Sequence, residues 1–194
     1  MNGLAESKTA LRAGLRAELK ALAADDRTSA SAKLCARVRA SAAWQNARAV
    51  LLFFPVASEP DISPLLDDAL AAGKLLALPR FNAATNAYAA VRVIDPVREL
   101  VVGPFQVHEP VAACPVEPLN RLDLALVPGL GFDARGHRLG RGKGHYDRLL
   151  AGFTGMKIGV AFDFQIVAEV PREPHDIALD AVVTPTRRIE AKRD

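Results

Sequence analysis

The chain has 194 residues, half of them hydrophobic and 24% charged, which is enough apolar material for a buried core and excludes a disordered or low-complexity chain. Its net charge of +3 is too mild to argue for a nucleic-acid partner, and no apolar run approaches the roughly 18 residues of a membrane span. Two cysteines, Cys35 and Cys114, build neither a disulfide framework nor a zinc site alone and read as free thiols of a reducing compartment.

The first segment is not a secretory signal, because Arg12, Arg16 and Lys20 interrupt it at helical spacing; a cytoplasmic location is expected. Leu11, Leu15, Leu19 and Leu22 recur every three or four residues, so the spacing predicts an amphipathic helix over roughly 8–23. A second helix is expected over about 27–42, with Leu34 and Val38 inward and Cys35 on it. Val50 to Phe54 is a short apolar run closed by Pro55, as in strands buried on both faces. Ser63-Pro64 reads as an N-cap followed by proline at the first helical position, opening a helix that stops at Gly73. Leu75 to Leu78 before Pro79 is another buried strand, which completes a β-α-β unit.

Ala87 to Ile94 reads as a further strand, and the turn-rich residues 95–120 wrap the surface. Leu122 to Val127, Lys157 to Phe162 and Ala181 to Thr184 complete the strands, with a short helix near Tyr146 to Ala151. Strands alternating with helices predict one three-layer α/β/α domain over 1–194. It has a mostly parallel central sheet, and helices of residues 1–45 pack on its core. No long exposed apolar helix demands a partner, which suits a monomer.

The chemistry concentrates in residues 127–150, VPGLGFDARGHRLGRGKGHYDRLL. The segment follows a buried strand and so leaves the carboxyl edge of the sheet, where open α/β folds bind ligands. Between Pro128 and Gly144 it holds six glycines, and residues 135–148 carry five bases against the single acid Asp147. Glycine lets a backbone approach a ligand closely. Its N–H groups, with Arg138, Arg141, Lys143 and the start of the next helix, would make an anion cradle.

The segment is neither a P-loop nor a dinucleotide fingerprint. Lys143 is followed by Gly144 and not Ser or Thr, His137 stands where the first glycine belongs, and Gly140 lies 13 residues after Val127. The bland alternative is a flexible basic loop without a ligand. Asp147 either holds a divalent cation or pairs with an arginine. Asp176, in Pro174-His175-Asp176 before the last strand, could converge on the same edge, and two carboxylates with phosphate oxygens suit Mg²⁺. Glu59 and Asp61 follow the first strand and make Glu59 a candidate polar anchor.

These residues carry a resemblance. VPGLGFD, RLGRGKG and Tyr146-Asp147, with Lys8 and Arg12 as K-x-x-x-R, the acidic turn after the first strand and His175-Asp176, are similar to the 5-formyltetrahydrofolate cyclo-ligase (5,10-methenyltetrahydrofolate synthetase) family, in that family's order. The resemblance implies an ATP- and Mg²⁺-dependent enzyme that converts 5-formyltetrahydrofolate to 5,10-methenyltetrahydrofolate with release of ADP and phosphate. It implies catalytic roles for Arg141, Lys143 and Tyr146. It places Lys8, Arg12, Arg138, Leu139, Gly140, Arg141, Gly142, Lys143, Gly144, His145 and Tyr146 on ATP. Phe54, Glu59 and residues 141–145 fall on the folate, and Asp147 and Asp176 on the metal.

Two places depart from the common pattern: His145 where a second aromatic usually precedes Tyr146, and Gln106-Val107-His108-Glu109-Pro110 where G-I-x-E-P is usual. The rival readings are another phosphate-ligand enzyme on a similar scaffold, such as a sugar-phosphate isomerase or CoA transferase, and an RNA-binding module. At 6% aromatic residues the chain offers an RNA module few stacking platforms.

Overall fold

The computed structural model describes residues 2–192. Helix α1 (Asn2–Ala21) and helix α2 (Ala24–Arg39) open the chain, followed by α3 (Ala42–Asn46), β1 (Ala49–Leu51), α4 (Ser63–Ala71), β2 (Leu75–Asn82) and β3 (Ala87–Val93). Residues after β3 form α5 (Pro96–Glu99) and a hairpin of β4 (Leu100–Val102) and β5 (His108–Pro110). Then come β6 (Leu124–Val127), a two-stranded ribbon of β7 (Gly131–Phe132) and β8 (Arg138–Leu139), α6 (His145–Leu150), β9 (Met156–Val160), β10 (Ala181–Val183) and β11 (Arg188–Glu190).

The main sheet has the order β11-β10-β9-β6-β1-β2-β3. Strands β10, β9, β6, β1 and β2 are mutually parallel, and antiparallel β11 and β3 close the edges. The expected mostly parallel α/β sheet is therefore present. Alternation along the buried strands serves two apolar layers. Val50, Leu76, Leu124 and Ile158 meet Leu34 and Val38 of α2, Trp44 of α3 and Leu65 and Leu66 of α4. Leu51, Ala77, Ala125 and Val182 face Leu149 and Leu150 of α6, with Phe132 and Phe153. The second layer is thin, since α6 spans only six residues. Truncating one of these fully buried leucines to alanine costs roughly 2–5 kcal/mol.

Chain order reverses at β1: the chain runs from β1 to β2 on one side and returns to β6 on the other. The loops after β1 and β6 therefore diverge from a topological switch point, where a crevice opens beyond the strand ends. Helix α1 closes this end. Leu15 packs on Leu139 and Val170, and Leu19 on Leu130 and Phe162, all from segments that follow β6 and β9.

The structure corrects several expected boundaries. Only Ala49 to Leu51 pair as strand β1, because Phe53 and Phe54 leave the ladder at the crevice. Strand β2 does not stop before Pro79. Leu75 N donates to Arg48 O and Ala77 O accepts from Leu52 N, so by alternation the nitrogen of Pro79 faces the same side, past the end of β1, where no donor is needed. Ser63 is the first helical residue and not the cap; Asp61 Oδ1 accepts its N–H at 2.9 Å. Both cysteines are buried and unpaired, and burial raises the Cys35 thiol to about 11.

Candidate active site

A cavity of about 540 Å³ lies at the switch point. Its lining brings together the post-β1 turn (Phe54, Glu59), the segment after β6 (Arg138, Gly140, Arg141, Lys143, Gly144, His145, Tyr146, Asp147), Tyr88 of β3 and the β4–β5 hairpin (Phe105 to Glu109). Lys8, Arg12, Leu139, Gly142 and Asp176 lie outside this lining.

The two halves of the glycine-rich segment have different characters. Residues 130–139 are not a flexible loop: they form the β7–β8 ribbon, with Phe132 and Leu139 buried. Asp133 locks the turn by accepting from the N–H groups of Arg135 and His137. Residues 140–144 are the open part, where Arg141, Gly142 and Lys143 are exposed. Gly142 and Gly144 sit at φ +104° and +63°, in the left-handed region that disfavours other side chains. Gly144 is thereby the N-cap of α6.

The expected bases have distinct partners. Arg138 is buried: its Nη2 donates to Asp147 Oδ1 at 2.9 Å and its guanidinium lies 5.6 Å from the centre of the Tyr146 ring. Asp147 is thus in an arginine pair, and its Oδ2 has no hydrogen bond among the described residues. Arg141 reaches back across the crevice and donates to Glu59 at 2.9 Å and Ser58 Oγ at 3.0 Å. Lys143 places its ammonium 3.9 Å from the centre of the Phe105 ring, a cation–π contact.

Helix α1 brings the two distant bases in. Arg12 Nε donates to Gly140 O at 3.0 Å, and Lys8 Nζ donates to Asp176 at 2.8 Å and Glu173 at 2.9 Å. Burial alone would lower the Lys8 ammonium, but the two acids outweigh it and hold the ammonium above its usual value. Burial likewise pushes Asp176 up, and Lys8 with the Glu173 N–H brings it below the usual carboxylate range. Glu173, His175 and Asp176 have ligand atoms within 4.8 Å of one another.

His145 turns its ring into an aromatic cluster beside Lys143. Its ring packs against Phe81, Tyr88 and Phe105 at 5.3 to 5.6 Å, and Nδ1 accepts from Arg148 at 2.8 Å. An arginine only donates, so the ring proton sits on Nε2. Burial first, then Arg148 and Lys143, lower its pKa. Burial also raises the phenols, that of Tyr88 to about 12 and that of Tyr146 well above 10.

Sequence reasoning left Phe81, Tyr88, Phe105 and Glu109 out of the site. Tyr88 and Phe105 line the cavity beside His145, with Phe81 packed against all three rings, a placement made by the β2–β3 pairing and the β4–β5 hairpin. The available signal was a lone acid, Glu109, inside an otherwise apolar, proline-flanked stretch.

The family model of the 5-formyltetrahydrofolate cyclo-ligase family matches residues 4–185. A 5-formyltetrahydrofolate cyclo-ligase of Mus musculus is 32% identical over 189 residues, covering 91% of this chain and 93% of the relative. One of Mycolicibacterium smegmatis is 39% identical over 158 residues, covering 76% and 79%. Among solved structures, 5,10-methenyltetrahydrofolate synthetase of Aquifex aeolicus superposes with a TM-score of 0.85 at 33% identity, covering 96% of this chain and 94% of that one.

Proposed function

The chain belongs to the 5-formyltetrahydrofolate cyclo-ligase family, and on that premise we propose how this enzyme works: ATP, with Mg²⁺, activates the formyl oxygen of 5-formyltetrahydrofolate so that N10 closes the ring. The observation that carries this reading is the Glu59–Arg141 bridge. It joins a folate-side turn to the loop of exposed cations in one crevice.

An amide oxygen is a poor leaving group, and phosphorylation makes it a good one. The formyl oxygen attacks the γ-phosphorus, the bond to the β-bridging oxygen breaks, and ADP departs. The resulting N5 iminium phosphate is attacked at carbon by the N10 lone pair. N10 loses its proton, the carbon–oxygen bond breaks, and phosphate leaves with the electron pair, giving the 5,10-methenyl cation. Little of this requires covalent help from protein, so catalysis rests on positioning and charge.

Arg141 and Lys143 supply that charge, one held by Glu59 and the other resting on Phe105. The backbone of 138–144, Lys8 and Arg12 take the nucleotide, and His145 lies where ATP meets the folate. Tyr146, kept protonated by burial, offers a neutral donor beside them. Phe54 and Glu59 border the folate.

The residues fit a magnesium ion. Asp147 and Asp176 offer hard carboxylate oxygens, and the Lys8 ammonium already stands as a cation beside Asp176. These two acids would hold the ion, which neutralises phosphate charge when bound. Among the described residues no helix is long and apolar enough to cross a membrane.

The test is the absorbance of methenyltetrahydrofolate formed from 5-formyltetrahydrofolate, with ATP or Mg²⁺ omitted in turn. Formation should require both. Turnover without nucleotide would overturn the reading.

A further inference from the structure

Arg148 stands on α6, exposed and outside the lining of the cavity, and the mechanism above gives it no part. Its Nη2 nonetheless meets three groups from two regions of the chain. It donates to Lys143 O and to Asn86 O, each at 3.1 Å, and lies 2.8 Å from Nδ1 of His145. Asn86 belongs to the turn between β2 and β3, at φ +51°, so its carbonyl comes from 62 residues upstream.

The backbone is shaped around this contact. Gly144 at φ +63° leads the chain into α6, and a Cβ there would lie 3.2 Å from Arg148 Nη1, so a larger residue would crowd the guanidinium. The open stretch 140–144 is tied at both ends by arginines from outside it: Arg12 Nε donates to Gly140 O at 3.0 Å, and Arg148 holds Lys143 O. A trans peptide sends its N–H opposite to its carbonyl, so the N–H groups of Arg141 and Gly144 point away from the two arginines. Neither has a protein acceptor among the described residues. Gly140, Arg141, Lys143 and Gly144 line the cavity, and neither Arg12 nor Arg148 does. A hydrocarbon ring at 145 would offer Arg148 no acceptor, so the third contact belongs to the histidine of this chain.

Resting on the cyclo-ligase reading, we infer that Arg148 is a positioning residue for phosphoryl transfer: it clasps Lys143 O and the His145 ring to the β2–β3 turn, and so holds the exposed cation loop in the shape that meets the nucleotide phosphates. It acts through Lys143, whose ammonium it keeps over Phe105, and touches no ligand itself. A guanidinium suits the task, because its planar fork is rigid and only donates. An exposed side chain of this kind adds little to stability. A loop displaced by about 1 Å can still cost on the order of 10²-fold in rate.

The experiment measures kcat, both KM values and Tm for Arg148→Ala, Arg148→Lys, Lys143→Ala and the double variant Arg148→Ala/Lys143→Ala. Arg148→Ala should lower kcat about 10- to 100-fold, leave KM for 5-formyltetrahydrofolate within about threefold, and move Tm by no more than about 2 °C. Arg148→Lys keeps a cation within reach of one carbonyl and should recover part of the loss. In the Lys143→Ala background the loss of Arg148 should cost about threefold or less, because the group it positions is gone. Nitrogen NMR of the His145 ring, at a pH where it is neutral, gives a readout without ligands: the proton sits on Nε2 in the wild type, and the tautomers mix in Arg148→Ala. Unchanged kcat in Arg148→Ala, losses that simply multiply in the double variant, or a wild-type proton on Nδ1 overturns the inference. If Arg148→Ala does not fold, Arg148→Lys in the same cycle decides. Failure of the cyclo-ligase reading is distinguishable, since the wild type would then not turn over 5-formyltetrahydrofolate while the ring spectrum still reported the clasp.

Discussion

Arg138 and Arg141 stand three residues apart on the same glycine-rich segment, and each forms a 2.9 Å ion pair with an acid of the cavity wall. The Arg138 side chain is 5% exposed and its partner Asp147 15%, whereas Arg141 is 48% exposed. The first lies where the chain is still paired as β8; the second comes after Gly140 has released it into the crevice. The difference teaches that residue type and spacing do not set a cation's role here. Burial of the cation does: both acids are largely buried, but an enclosed arginine fixes the wall, whereas an exposed one is free to turn to a ligand's charge.

The most damaging way to probe the contrast is Arg138→Met. It strands Asp147 in a nearly enclosed place, and removing one member of a buried pair costs about 3–5 kcal/mol. Urea unfolding measures it. A loss near zero would mean that Asp147 is satisfied by other groups and that the two arginines are alike. Arg141→Ala and Lys143→Ala should behave oppositely. Arg141 is 48% exposed, and its 10% exposed partner Glu59 keeps Val56 N as a donor, so the midpoint should move less than for Arg138→Met. The turnover number should fall about 10²- to 10³-fold, the usual effect of deleting a preorganised transition-state donor. A pure rise in KM at constant kcat would instead assign these cations to ground-state binding.

The smallest effect belongs to an intermediate pair, Lys8 with Asp176, whose side chains are 10% and 19% exposed. Lys8→Met should cost about 1.5–3 kcal/mol at pH 7, the range for hydrogen bonds to charged groups. Asp176 is held below its unfolded value of about 3.9, so its contribution is complete above that pH and fades as pH falls through the lower folded value. Lys8 is held above its unfolded value of about 10.4, so its contribution is complete below that pH and fades as pH rises through the folded value. The gap in Tm between wild type and variant should therefore be widest between about pH 5 and 9 and close in strong acid. A gap independent of pH would make Lys8 a packing residue only.

Much of the fold around this contrast was legible in the sequence, and the reasons are local. Buried strands announce themselves as apolar runs, and Leu15 and Leu19 betray the inward face of α1 by spacing. A glycine-rich stretch after such a strand marks the carboxyl edge, and Glu59, following another strand, falls on the same edge; their meeting through Arg141 follows from the sheet. What stayed hidden depends on long-range closure. Nothing near Arg138 says that it turns inward to Asp147 while Arg141 turns out, because the β7–β8 ribbon that decides it is only two residues per strand. Phe105 and Glu109 enter the cavity only because the β4–β5 hairpin folds back along β2, and His145 packs against aromatics for the same reason.

Helix α1 also has a consequence in time. It is synthesised before everything it touches at the site: Arg12 waits 128 residues for Gly140, and Lys8 waits 165 and 168 residues for Glu173 and Asp176. During translation the early segments order first, yet the segments this helix packs on, from Leu130 to Val170, are made long after it. Its exposed leucines must stay soluble meanwhile, which the interleaved Arg12, Arg16 and Lys20 allow. This end of the crevice is thus completed late, by the first piece made, and an incomplete chain lacks the corner where Lys8 and Arg12 meet Glu173, Asp176 and Gly140.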